Sequence, residues 1–149
     1  MKKSLKQAVI KGIGVFLVAQ SSYSLAATTP IEGVEFNIRW DAAASLYRVY
    51  MRPNTTPKPD LSTTAQVTIR VPHVVGTGMF TPISITNLHD GVTWANTSRA
   101  RAPIENTNAD YLSFIANITN PIAFQWQAGV EQEVFNFKNS GQCVGPAEL

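Results

Sequence analysis

The chain has one cysteine, Cys143, in 149 residues. An internal disulfide is excluded, so the fold must be held by packing alone. Histidine is almost as scarce. His73 and His89 are the two, and they show no H-x-H or H-x-x-x-H spacing of the kind that marks a metal site. There is no G-x-S-x-G elbow and no Walker A loop, and the "GTG" at 76–78 is too short to cradle a phosphate. His89 stands beside Asp90, but neighbours in a turn point apart, so the pair reads as a solvated turn rather than as a general base. No window carries a 3.6-residue apolar stripe long enough for a stable helix. These absences point away from metalloenzymes, serine hydrolases, nucleotide-binding enzymes and helical bundles, and the chain reads as non-enzymatic.

The N-terminus reads as an address. Lys2, Lys3, Lys6 and Lys11 precede an apolar run from Gly12 to Ala19, and small residues follow, ending Ser24-Leu25-Ala26. That order is a signal peptide over 1–26, helical in its apolar part. The run falls short of the roughly 20 residues needed to span a bilayer, so no membrane span is expected in the mature chain. A secreted or cell-surface location follows, with the periplasm as the other exported compartment. Residues 1–26 hold four of the six lysines and none of the ten acidic residues. The mature part is left with two lysines and six arginines against those ten acids, a formal charge of −2. Nucleic acid is therefore not an expected partner, since phosphate binding needs a clustered basic surface.

Past a linker at 27–33, period-2 alternation dominates, and it places every second side chain on one face of a strand. "VEFNIRW" sets Val34, Phe36, Ile38 and Trp40 against Glu35, Asn37 and Arg39. After the turn "DAAAS", "LYRVYMR" alternates in the same way, and the two runs predict an antiparallel hairpin. "TAQVTIRVP" directs Val67, Ile69 and Val71 inward, and Pro72 ends it because proline cannot continue a ladder. "FTPISIT", "VTWAN", "YLSFIAN", "AFQW" and "EVFNFK" read as further strands, with "RPNTTPKPD", "HVVGTGM", "LHDG" and "SRARAPIENTNAD" as connections. The pattern predicts one all-β domain over 34–149, an antiparallel β-sandwich of the immunoglobulin-like or cohesin-like kind. Its expected core holds Val34, Phe36, Ile38, Trp40, Val67, Ile69 and Phe114, with Phe135 or Phe137.

Two candidate sites come from residue type. "IENTNAD" offers the oxygen donors Glu105, Asn106, Asn108 and Asp110 within one loop, which suits calcium; the competing reading is a set of Asx turns. No other cofactor is expected. Trp94, Trp126 and Tyr111 are candidates for a carbohydrate platform if their rings lie exposed, since aromatic faces stack on apolar planes. Trp126 shares its phase with Phe124, which favours core instead.

"WDAAASLYRVYMRPNTTP", "TAQVTIRVPH", "ADYLSF" and "FQWQAGVEQEVFNFKNSGQCVGPAEL" together resemble an extracellular β-sandwich module of bacterial secreted and cell-surface proteins. Such modules stand beside cadherin-like, immunoglobulin-like and other adhesion repeats and are similar in plan to cohesin-type domains. The resemblance spans residues 34–149 and carries no assigned catalytic residue. It implies adhesion or assembly on a protein or polysaccharide surface, with a carbohydrate-binding module as the alternative. Such modules continue beyond "CVGPAEL" with an Asn- and Gly-rich tail. Here the last segment, ending at Leu149, is expected at a sheet edge, where it would support self-association. Cys143 beside that edge could form an intermolecular cross-link or serve as a small buried hydrophobe.

Overall fold

A computed structural model of the protein describes residues 33–140. The stretch read as a signal peptide, most of the stretch read as a linker, Cys143 and the segment expected at a C-terminal edge lie outside these residues. Seven antiparallel strands are found among the described residues: β1 (Val34–Asp41), β2 (Leu46–Pro53), β3 (Ala65–Pro72), β4 (Pro82–Asn87), β5 (Val92–Arg101), β6 (Ala109–Ile118) and β7 (Gln132–Asn139). They form a four-stranded sheet in the order β1-β2-β7-β4 and a three-stranded sheet in the order β3-β6-β5. In the immunoglobulin constant arrangement the same positions would read β1-β2-β5-β4 and β3-β6-β7. Here β5 and β7 have exchanged sheets, so the strand order is not the immunoglobulin one.

The core lies between the sheets. Phe135 and Phe137 of β7 meet Phe114 of β6 with ring centroids 5.1 and 5.2 Å apart, and Trp94 of β5 stacks on Phe135 at 4.6 Å. Tyr47, Val49 and Met51 of β2 and Val67, Ile69 and Val71 of β3 are buried at every second position, as their alternation predicts. The expected hairpin is present, with Val34 opposite Pro53 and Asp41 opposite Leu46.

Four expectations need correction. Val34, Phe36 and Trp40 are 44%, 45% and 47% exposed, and only Ile38 is packed against the core. Alternation separates two faces of a strand but does not say whether a second layer covers either one. β1 is the edge of a four-stranded sheet laid over three strands, and its apolar face overhangs beside β3. Second, β7 does not alternate cleanly. Its pairing with β2 slips at Val49/Tyr50, which leaves Val134 unpaired between Glu133 and Phe135. The bulge turns Val134 into the core along with both phenylalanines. Third, "AFQW" is not a strand, and fourth, β5 runs on through Ser98 to Arg101, into the stretch read as a connection. Pairing with β6 carries that extension, although its exposed side chains give it no apolar period.

The β4–β5 corner is tight. Gly91 has φ +76°, and its carbonyl accepts the N–H of Thr119 at 2.7 Å. A Cβ at Gly91 would lie 2.5 Å from Asn120 Cβ, so only glycine fits this approach.

Candidate functional site

At one end of the sheets the β2–β3 loop, residues 54–64, faces the β6–β7 loop, residues 119–131. Its prolines deny it ladder partners, and it is tied down by other means. Ser62 N–H donates to Pro121 carbonyl at 2.8 Å, Gly129 N–H to Pro53 carbonyl at 2.8 Å, and Ala128 N–H to Thr56 Oγ1 at 2.9 Å. The Lys58–Pro59 bond is cis. Along the β2–β3 loop runs an open groove of about 570 Å³, lined by Pro57, Pro59, Leu61 and the hydroxyls of Thr55 and Ser62, with Trp126 from the facing loop and Val34 at the start of β1. Trp126 stacks on Phe124 at 4.6 Å and its Nε1 donates to Ser62 Oγ at 3.0 Å. The half-buried ring is therefore held in place where it lines the groove.

The other two rings of the expected platform are elsewhere. Trp94 is 3% exposed and belongs to the core, so it cannot stack on a ligand. Its Nε1 is buried without an acceptor among the described residues. Tyr111 is half-buried on β6, and its hydroxyl accepts from Asn106 Nδ2 at 3.1 Å. Trp126 is the one member that reaches a groove. Trp40, assigned to the core by its phase, is instead an exposed indole tilted against Tyr47 at 4.7 Å.

The four oxygen donors of the 105–110 loop are not gathered on one point. Asn106 Oδ1 accepts the N–H of Asn108, which is an Asx turn. Glu105 is exposed, while Asp110 is 2% exposed and turned inward. Among the described residues no three His, Cys, Asp or Glu side chains are grouped to hold a metal.

Asp110 belongs to a cluster that has no local sequence signal. Its Oδ1 lies 2.6 Å from His73 Nδ1 and also accepts Ala102 N–H at 3.2 Å, and Arg99 Nη1 stands 3.9 Å from its Oδ2. Arg99 donates to the Phe80 carbonyl as well. Burial lowers the Arg99 pKa from its ordinary value and the Asp110 carboxylate opposes that shift. The cluster sits where β3 ends, β6 begins and β5 ends, so it joins three strand termini. His89 is not a free turn residue: its Nε2 lies 3.0 Å from the Glu133 carbonyl and its ring packs on Phe124 at 4.8 Å.

The outer face of the four-stranded sheet carries paired charges. Arg48 bridges Asp41 at 2.8 Å and Glu133 at 2.9 Å, Arg39 meets Glu131 at 2.6 Å, and Arg52 meets Glu35. Arg39 also lies over the Tyr50 ring, 4.3 Å from its centroid. The Ala44 N–H, and then Arg48, hold the Asp41 carboxyl below its ordinary range. Three arginines alternate with four carboxylates, so this face carries paired charges rather than a one-sign field.

No helix among the described residues is long and apolar enough to cross a membrane. Comparison with protein-family models, curated proteins and solved structures gives no match to this chain.

Proposed function

We propose that this is an exported, non-enzymatic β-sandwich binding module that acts in adhesion or assembly at the cell surface or in the extracellular matrix. The observation that carries this reading is the groove beside Trp126. It joins apolar planes from an indole and two prolines to hydroxyls, it is open at the surface, and both its walls are braced by backbone hydrogen bonds. Such a groove can hold an extended polymer with little ordering cost. The signal-peptide pattern of residues 1–26 and the resemblance to surface modules supply the location. A polysaccharide is the ligand class favoured by the site, because an indole beside hydroxyls suits a sugar ring and its hydroxyl edge.

The test is retention of the purified protein on insoluble cell-surface polysaccharides, with Trp126→Ala and Leu61→Asp against Ile104→Ala, an exposed residue of the β5–β6 loop, as a control. Loss of retention in the two groove variants, with their melting curves preserved, is expected. Retention unchanged by both substitutions would sink the groove as the binding site.

A further inference from the structure

The free edge of β1 is unusually complete. β1 ends the sheet order and pairs only with β2 among the described residues. The Gly33 carbonyl accepts the Asn54 N–H at 3.0 Å, directly across the β1–β2 register. That phase assigns the odd-numbered residues of β1 to the bonds with β2. The N–H and C=O groups of Val34, Phe36, Ile38 and Trp40 then point away from the sheet. The other edges are blunted: β4 opens with Pro82 and slips between Ile83 and Thr86, β5 slips between Asn96 and Ser98, and β3 ends in Pro72. β1 has no proline, no lysine and no slip over its eight residues. Edges of this kind accept another strand.

We infer that the β1 edge pairs antiparallel with β1 of a second copy of this chain, centred on Asn37. The sequence "VEFNIRW" is self-complementary about that residue. Glu35 falls opposite Arg39 of the second copy, and Arg39 opposite its Glu35. On the apolar face Phe36 meets Ile38, and the small Val34 meets the large Trp40. Val34, Phe36, Ile38 and Trp40 fall opposite one another in pairs, so their outward backbone groups are satisfied in both copies. Shifting the centre to Ile38 would set Glu35 against Asp41, a like-charge pair. Shifting it to Phe36 would leave Arg39 opposite Gly33. The charge pattern thus selects one register. The same pairing covers the exposed faces of Val34, Phe36 and Trp40 and closes the recess that Phe36 forms with Gln66, Val67 and Thr68 of β3. The two four-stranded sheets become one continuous sheet. This inference extends the assembly reading above but does not depend on the groove: a dimer that binds no polysaccharide would remove that reading and leave this one.

Two measurements test it. In a Cys143→Ser background, Asn37→Cys places two thiols at the symmetric non-hydrogen-bonded position, where Cα atoms lie about 4.5 Å apart, within the span of a disulfide. Mild oxidation should give covalent dimer several-fold faster than in the matched Arg39→Cys variant, whose residue faces Glu35. Separately, Phe36→Pro removes an outward N–H and leaves the β2 ladder intact, so the protein should change from dimer to monomer in sedimentation equilibrium with its fold retained. Equal cross-linking of the two cysteine variants overturns the inference. So does a wild-type protein that sediments as a monomer at millimolar concentration, whether the edge stays open or another stretch of the chain occupies it.

Discussion

His73 and Asp110 are 37 positions apart in the chain and their side chains meet at 2.6 Å. β3 and β6 bring them together: Pro72 lies opposite Ala109, and His73 N–H bonds the Asn108 carbonyl at 2.8 Å. The carboxylate is buried, so it depends on its partners, and Arg99 depends on it for a counter-charge. Asp110→Ala should lower stability by about 3 kcal/mol, the range for leaving buried or charged partners unpaired. Urea denaturation measures it. A loss below about 1 kcal/mol would show that the cluster is solvated and replaceable.

Burial separates two apolar residues that the same periodicity makes equivalent. Ile69 is fully buried and Val34 is exposed. Ile69→Ala should cost about 2–5 kcal/mol. Val34→Ala, measured at a concentration low enough to keep the chain monomeric, should stay within about 0.5 kcal/mol. Comparable losses at the two sites would mean that β1 is covered.

Gly91 and Gly129 share a positive φ, +76° and +73°, but a Cβ has open space only at Gly129. Gly129→Ala should cost about 1–2 kcal/mol from backbone conformation alone. Gly91→Ala adds a collision with Asn120 and should cost clearly more. Paired thermal melts check the order, and a reversal would contradict the β4–β5 corner as described.

Asp41 gives stability a pH dependence of definite sign. Its pKa is lowered in the folded protein by the Ala44 N–H and by Arg48. Its contribution is therefore present above the unfolded carboxylate value of about 3.9 and is lost as pH falls through the lower folded value. Asp41→Asn should flatten the acid limb of a melting-temperature profile. An unchanged limb would place the hydrogen bonds of this turn outside the pH response.

Strand content was legible where periodicity met a covered face. β2 and β3 are alternating runs flanked on the inner side by the other sheet, and their buried positions follow from phase. β1 shows the same signal with no layer above it, because the width of the opposing sheet is a tertiary property. The bulge at Val134 also escapes a period-2 reading, since one inserted residue moves the inward set from even positions before it to odd positions after it. Trp126 was named a candidate from its residue type, inside a run read as a strand, and the opposing wall of its groove comes from a loop 64 positions earlier, at Ser62. The His73–Asp110–Arg99 cluster joins three strand ends, and nothing local in the sequence links them.

The placement of β7 has a consequence for how the chain acquires its shape. The last described strand is an interior one, bonded to β2 on one side and to β4 on the other. Until residues 132–139 are available, β4 has no strand beside it, and the four-stranded layer amounts to the β1–β2 hairpin. Closing that layer joins positions separated by most of the domain, which makes formation slow. A chain emerging N-terminus first would thus keep this layer open until β7 had appeared. Interruption before Gln132 would leave β2 and β4 with bare edges, Phe114 without Phe135 and Phe137, and Phe80 without Phe137.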